Sequence, residues 1–80
     1  MDVKVLGPGC MKCNKLYEEA RKAIDEAGVE ATLEKVEGIN EIAGYGVMFT
    51  PALVIDGEVK SSGSVVKAAK IAAMLREAAK

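Results

Sequence analysis

Eighty residues, half of them apolar, suffice for one modest core and are too few for a second domain or a closing lid, so residues 1–80 read as one domain. Lys and Arg number 11 against 12 Asp and Glu, which leaves no positive excess for phosphates or an anionic membrane surface and argues against a nucleic-acid partner. Two Cys and no His remove imidazole as a base, as a metal ligand and as the partner of a nucleophile.

The opening stretch Met1-Asp2-Val3-Lys4-Val5-Leu6-Gly7 has an apolar run too short for a secretory segment or a membrane span, which predicts a cytoplasmic protein without membrane attachment. Residues 3–6 are rich in β-branched side chains and stop at Gly7-Pro8-Gly9, the pattern of a strand entering a loop. The loop leads directly to Cys10. Leu16, Tyr17, Ala20, Ala23, Ile24 and Ala27 then recur at three- and four-residue spacing, with charged residues mostly opposite, as in an amphipathic helix. Gly28 suits its C′ position.

Residues 29–36 alternate as a second strand would, and 39–43 read as a short helix interrupted by Gly44 and Gly46. After Thr50-Pro51 come two strands, 52–55 and 58–61, joined at Asp56-Gly57, a pair favoured in two-residue hairpin turns. Ser64 is placed to N-cap a last helix with Val65, Val66, Ala69, Ala72, Ala73 and Leu75 on its apolar face and Lys67, Lys70, Glu77 and Lys80 in water. The order is β-α-β-α-β-β-α. A right-handed parallel unit followed by an antiparallel hairpin gives an α/β fold with a mixed four-stranded sheet and helices on both faces.

Cys10 and Cys13 close too small a loop to restrict the unfolded chain, so the pair reads as reactive rather than as a stabilising framework. A thiol with a pKa of about 8.5 is mostly protonated at neutral pH, and the thiolate is the nucleophile. At a helix start, unpaired backbone N–H groups and the positive end of the helix dipole favour the thiolate, and Lys12 adds a mobile positive charge. Cys10, beside flexible Gly9, is the expected nucleophile. Cys13 shares the register of Leu16, Tyr17 and Ala20 and is the expected resolving thiol.

Other uses of the two sulfurs stay open at this point. They can act as small apolar fillers, as half of a zinc site shared by two chains, as a Cu(I)-binding module, or as a redox sensor that is not an enzyme. Cu(I) carriers of the heavy-metal-associated type also place Cys-x-x-Cys after a first strand. They run β-α-β-β-α-β, however, and end on a strand.

The chain resembles the thioredoxin/glutaredoxin superfamily over essentially its whole length, and most closely the small stand-alone thioredoxin-like, redox-active disulfide proteins. Cys10-Met11-Lys12-Cys13 matches the superfamily's active-site motif, and Thr50-Pro51 matches its cis-proline element. The resemblance implies a thioredoxin-like fold and a protein-disulfide oxidoreductase without metal or organic cofactor. Disulfide-bearing protein substrates and a thioredoxin-reductase-like electron donor are the implied partners, and a monomer is expected.

By the same resemblance the backbone of Thr50 pairs with an extended substrate segment beside Pro51, and Gly63 borders the groove unless it is an ordinary turn glycine. Met11, Met48, Phe49 and Pro51 form a candidate apolar rim for substrate, with Met48 and Phe49 equally suited to the core. The sequence lacks thioredoxin's Trp-Cys-Gly-Pro-Cys and has Lys4 in its first strand instead of a buried acid that could relay a proton. Nothing in it supplies the glutathione-binding charges of glutaredoxins.

Overall fold

The computed structural model describes residues 1–9 and 11–79; Cys10, expected at the helix start, and Lys80, expected in water, lie outside the described residues. The elements are β1 (Asp2–Leu6), α1 (Met11–Ala27), β2 (Thr32–Val36), α2 (Ile39–Gly44), β3 (Ala52–Ile55), β4 (Glu58–Ser62) and α3 (Ala68–Ala78). They build a four-stranded sheet in the order β2-β1-β3-β4. β1 runs parallel to β2, with Val3 opposite Leu33, and antiparallel to β3, with Val5 opposite Leu53. β3 and β4 form the hairpin, with a register irregularity between Leu53 and Val54.

Successive strand residues point to opposite faces, and both faces are covered. Val3, Val5, Leu53 and Ile55 meet Leu16, Ala20 and Ala23 of α1 and Ile71, Ala72 and Leu75 of α3 in the larger core. Leu6, Ala52 and Val54 face the other way, where Val36 and Ile42 of the short α2 complete a smaller core. Every residue of β3 is buried, as expected of a strand with neighbours on both edges and helices on both faces.

The hairpin turn has φ of 50° at Asp56 and 82° at Gly57, the left-handed pair that a tight two-residue connection requires. Asp56 is anchored twice. Its amide donates to the Asp2 carbonyl at 2.7 Å, and its carboxylate accepts from the Asp2 amide at 2.8 Å. The turn is thereby tied to the start of the neighbouring strand.

Two expectations from the sequence are corrected. The second strand begins at Thr32 rather than at 29, because β1 itself begins at Asp2, which pairs with Thr32; residues 29–31 have no strand to pair with. The last helix begins at Ala68, with Lys67 as an N-cap that makes no side-chain hydrogen bond. Ser64 does not cap it, and its hydroxyl instead faces that of Ser61 at 3.5 Å. The reason lies upstream, where the Gly63 amide is held by the Pro51 carbonyl at 2.9 Å. The chain is still tethered to the sheet there, and Val66 enters the larger core before the helix starts. The helix then buries Ile71, Ala72 and Leu75, leaving Ala69 and Ala73 exposed because Ile71 offers much more apolar area than either alanine.

Leu53 is fully buried in the larger core between β1 and the two long helices. Leu53→Ala is expected to lower unfolding stability by about 2–4 kcal/mol in urea titration, the usual cost of a leucine-sized cavity.

Candidate functional site

The carboxyl end of β1 leads through Gly7, Pro8 and Gly9 toward α1, and the described part of the site is built around that end. Gly7 prolongs the β1–β2 pairing by donating its amide to the Val36 carbonyl at 2.9 Å. Its Cα is bare for a steric reason: a Cβ there would fall on the Sγ of Cys13, would lie 2.9 Å from the Cys13 Cβ, and would come within 3.9 Å of the Thr50 Cβ. Cys13 occupies the first turn of α1 on its inward face and is fully buried. Cys10, the expected nucleophile, lies outside the described residues.

The approach of α1 is fixed from the side as well. Lys35 of β2 donates to the Asn14 side-chain oxygen at 2.7 Å, and its ammonium lies 5.2 Å from the centre of the Tyr17 ring. These contacts hold the first turns of α1 against the edge of the sheet.

Opposite Cys13, the Thr50–Pro51 peptide bond is cis, Pro51 is fully buried and Thr50 is exposed. The Pro51 carbonyl accepts from the Gly63 amide, and Gly63 has φ of 82°, a conformation that disfavours other residues. A Cβ on Gly63 would meet the Phe49 Cβ at 3.2 Å. Cys13, Gly7, Thr50, Pro51, Gly63 and Phe49 thus form a continuous line of neighbours.

Large exposed apolar side chains gather at the same end. Met11 is 88%, Met48 87%, Ile39 77% and Phe49 67% exposed, and among the described residues the only other large one is Val59 on β4. Met48 and Phe49 are therefore surface residues, not core. Pro51 does not belong to an exposed rim, because its side chain is fully buried. Ile39, which the sequence reading places only in a short helix, joins Pro8, Ile42, Val47, Met48 and Thr50 around a groove of about 250 Å³. Lys12 is exposed on the first turn of α1.

Among the described residues no polar or charged side chain is buried, so none offers a buried acid for proton relay. Lys4 lies on the α2 side of the sheet and donates to the Tyr45 hydroxyl at 3.2 Å, with Asp2 at 3.9 Å. The Tyr45 hydrogen bond and charge interaction, with a smaller contribution from Asp2, raise the Lys4 pKa above its ordinary 10.5.

Comparison with known proteins now adds to this geometry. A thioredoxin-domain family model matches residues 1–76, which takes in every strand and most of α3. The chain belongs to the thioredoxin family. A thioredoxin of Methanothermobacter thermautotrophicus is 35% identical over 75 residues, covering 94% of this chain and 97% of the relative. A thioredoxin of Methanocaldococcus jannaschii is 39% identical over 64 residues, covering 74% of each. The mixed sheet with helices on both faces is the thioredoxin-like fold, and family membership carries a thiol redox function in general terms.

Sequence reasoning missed the relation of Gly7 to Cys13, having treated Gly7-Pro8-Gly9 as a loop signal throughout. One clue separates Gly7 from Gly9: Gly7 follows the strand directly and has no left-handed φ, whereas Gly9 has φ of 93°.

The Lys4 contact gives a pH test away from the cysteines. A raised folded-state pKa means that its stabilisation is fully present below pH 10.5 and is lost as the pH climbs through the raised value. Tyr45→Phe removes the hydroxyl. The gap in Tm between wild type and this variant is expected to stay constant through neutral pH and to close as the pH rises past 10.5; a gap unchanged at strongly alkaline pH contradicts the assignment.

Proposed function

We propose that this chain is a thiol–disulfide oxidoreductase that cycles Cys10 and Cys13 between dithiol and disulfide and so reduces disulfides in protein substrates. The observation that carries the reading is the buried sulfur of Cys13, held in the first turn of α1 between the end of β1 and Thr50. A buried thiol is poorly suited to attack a bulky substrate. It is well suited to attack a sulfur already bonded to its neighbour in the motif.

In the proposed cycle the Cys10 thiolate attacks one sulfur of a substrate disulfide, forming a mixed disulfide and expelling the other substrate sulfur as a thiolate. Cys13, deprotonated, then attacks the Cys10 sulfur, closes the Cys10–Cys13 disulfide and expels the second substrate thiolate. Two electrons pass from the pair to the substrate, and the expelled thiolates take up the two protons lost by the cysteines. A dithiol of a thioredoxin-reductase-like donor restores the reduced pair by the reverse exchange. No metal or organic cofactor enters the cycle, and the protein is read as a cytoplasmic monomer.

Activation of Cys10 rests on its position next to the start of α1, where N–H groups without intrahelical partners favour a thiolate. Lys12 contributes a further positive charge, weakened by solvent screening at its exposed position. Thr50, exposed beside the site, is the proposed backbone partner of an extended substrate segment. Met11, Met48 and Phe49 supply apolar contact around it, and Gly63 keeps the adjoining edge free of a side chain.

A Cu(I) carrier fits the chain less well. Here α2 separates β2 from β3, and α3 follows the hairpin, unlike the β-α-β-β-α-β order of those modules.

Cys13→Ser is expected to accumulate a mixed disulfide with substrate through Cys10, visible by intact mass, while Cys10→Ser abolishes turnover. Turnover retained by Cys10→Ser, with no adduct on Cys13→Ser, refutes the assignment. Phe49→Ala is expected to raise KM for a protein disulfide several-fold while leaving turnover of a small aryl disulfide near wild type, since a rim side chain contributes only where the substrate covers it.

A further inference from the structure

We infer that Gly7 is a positioning residue for the resolving step: its bare Cα is the seat on which the Cys13 sulfur rests. The inference depends on the reading of Cys10 as nucleophile and Cys13 as resolving thiol, and it assigns a role within that cycle to a residue outside the cysteine motif.

The observations separate this role from the usual reasons for a glycine. Gly7 has no left-handed φ, so its backbone conformation suits any residue. Its amide is engaged with Val36 as an ordinary extension of the β1–β2 pairing. Pro8 and Gly9 provide the turn beyond it. What forbids a side chain is the sulfur, since the three heavy atoms nearest to an added Cβ are Sγ and Cβ of Cys13 and Cβ of Thr50.

Rotation of the Cys13 side chain would relieve only part of the clash. It would carry Sγ away, but the Cys13 Cβ would still lie at 2.9 Å, and that atom is fixed by the helix backbone. Nor is α1 free to retreat. Leu16, Ala20 and Ala23 are buried in the larger core, and Lys35 grips Asn14 and Tyr17 in the first turns. A methyl group at position 7 must therefore displace the Cys13 sulfur from its place between β1 and Thr50. Attack by Cys10 does not involve that seat. Closure of the Cys10–Cys13 disulfide does, because it requires Cys13 Sγ to align with the mixed disulfide.

The test uses the reduced full-length protein and excess 5,5′-dithiobis(2-nitrobenzoate), followed by stopped flow. The first thionitrobenzoate released reports attack by Cys10, and the second reports closure by Cys13. Gly7→Ala is expected to leave the first phase within about twofold of wild type and to slow the second by about ten- to a hundredfold, the scale of a small misplacement of a reacting group. A folded Gly7→Ala protein with a normal second phase, or with both phases slowed alike, overturns the seat.

A double-mutant cycle covers the case in which Gly7→Ala folds poorly. In a Cys13→Ala background, which removes Sγ, the loss of Tm or of folded protein caused by Gly7→Ala is expected to shrink markedly. An equal loss in both backgrounds overturns the proposal. Cys10→Ser alone tests the underlying cycle. Thionitrobenzoate release far slower than the wild-type first phase supports it, and release at the wild-type first-phase rate brings down the cycle and the seat together. A slow Cys10→Ser beside a normal Gly7→Ala brings down the seat alone.

Discussion

Pairing of β1 on both edges is the constraint from which the domain is assembled. Its parallel partner β2 arrives only after α1 has crossed one face of the sheet, and its antiparallel partner β3 arrives only after α2 has crossed the other. Val3 and Val5 consequently face the two long helices, while Leu6 faces α2. With β1 buried at the centre, its carboxyl end becomes the point where the first loop, α1 and the segment before β3 come together.

That convergence explains why a small domain can hold a sulfur so firmly. Cys13 is fully buried, and its side chain lies against Gly7 close to Thr50. Packing of this kind tolerates little error, because protein interiors have no spare room for even a methyl group. The contacts of Lys35 with Asn14 and Tyr17 on the outside and of Leu16 and Ala20 on the inside fix α1 from two directions. The cysteine thus sits on a rigid element and faces another.

The surface around this end has a different character. Met11, Ile39, Met48 and Phe49 remain exposed although an 80-residue domain has few large apolar side chains to spare for its core. Exposed apolar residues gathered at one end of a small domain are characteristic of contact with other proteins. Thioredoxin-family membership and this surface are consistent with each other. Lys4 is engaged with Tyr45 and Asp2, so the domain differs from thioredoxins that have a buried acid in this strand.

The sequence by itself determined the element order and the α/β fold class, and it singled out the proposed redox pair. Those features rest on local signals: β-branched runs, a three- and four-residue apolar period, the Asp56-Gly57 turn and the spacing of Cys10 and Cys13. It placed the boundaries of the second strand and the last helix less well, because both are set at a distance. Thr32 starts a strand where Asp2 offers a partner, and Gly63 is held by Pro51 until the chain is free to turn into α3. It also left Met48 and Phe49 undecided between core and surface, since an apolar side chain shows no preference until its neighbours are known. Only the tertiary structure showed that Gly7 makes room for a sulfur. Gly7 and Cys13 belong to a strand end and a helix, and their contact exists only once β1 and α1 have packed.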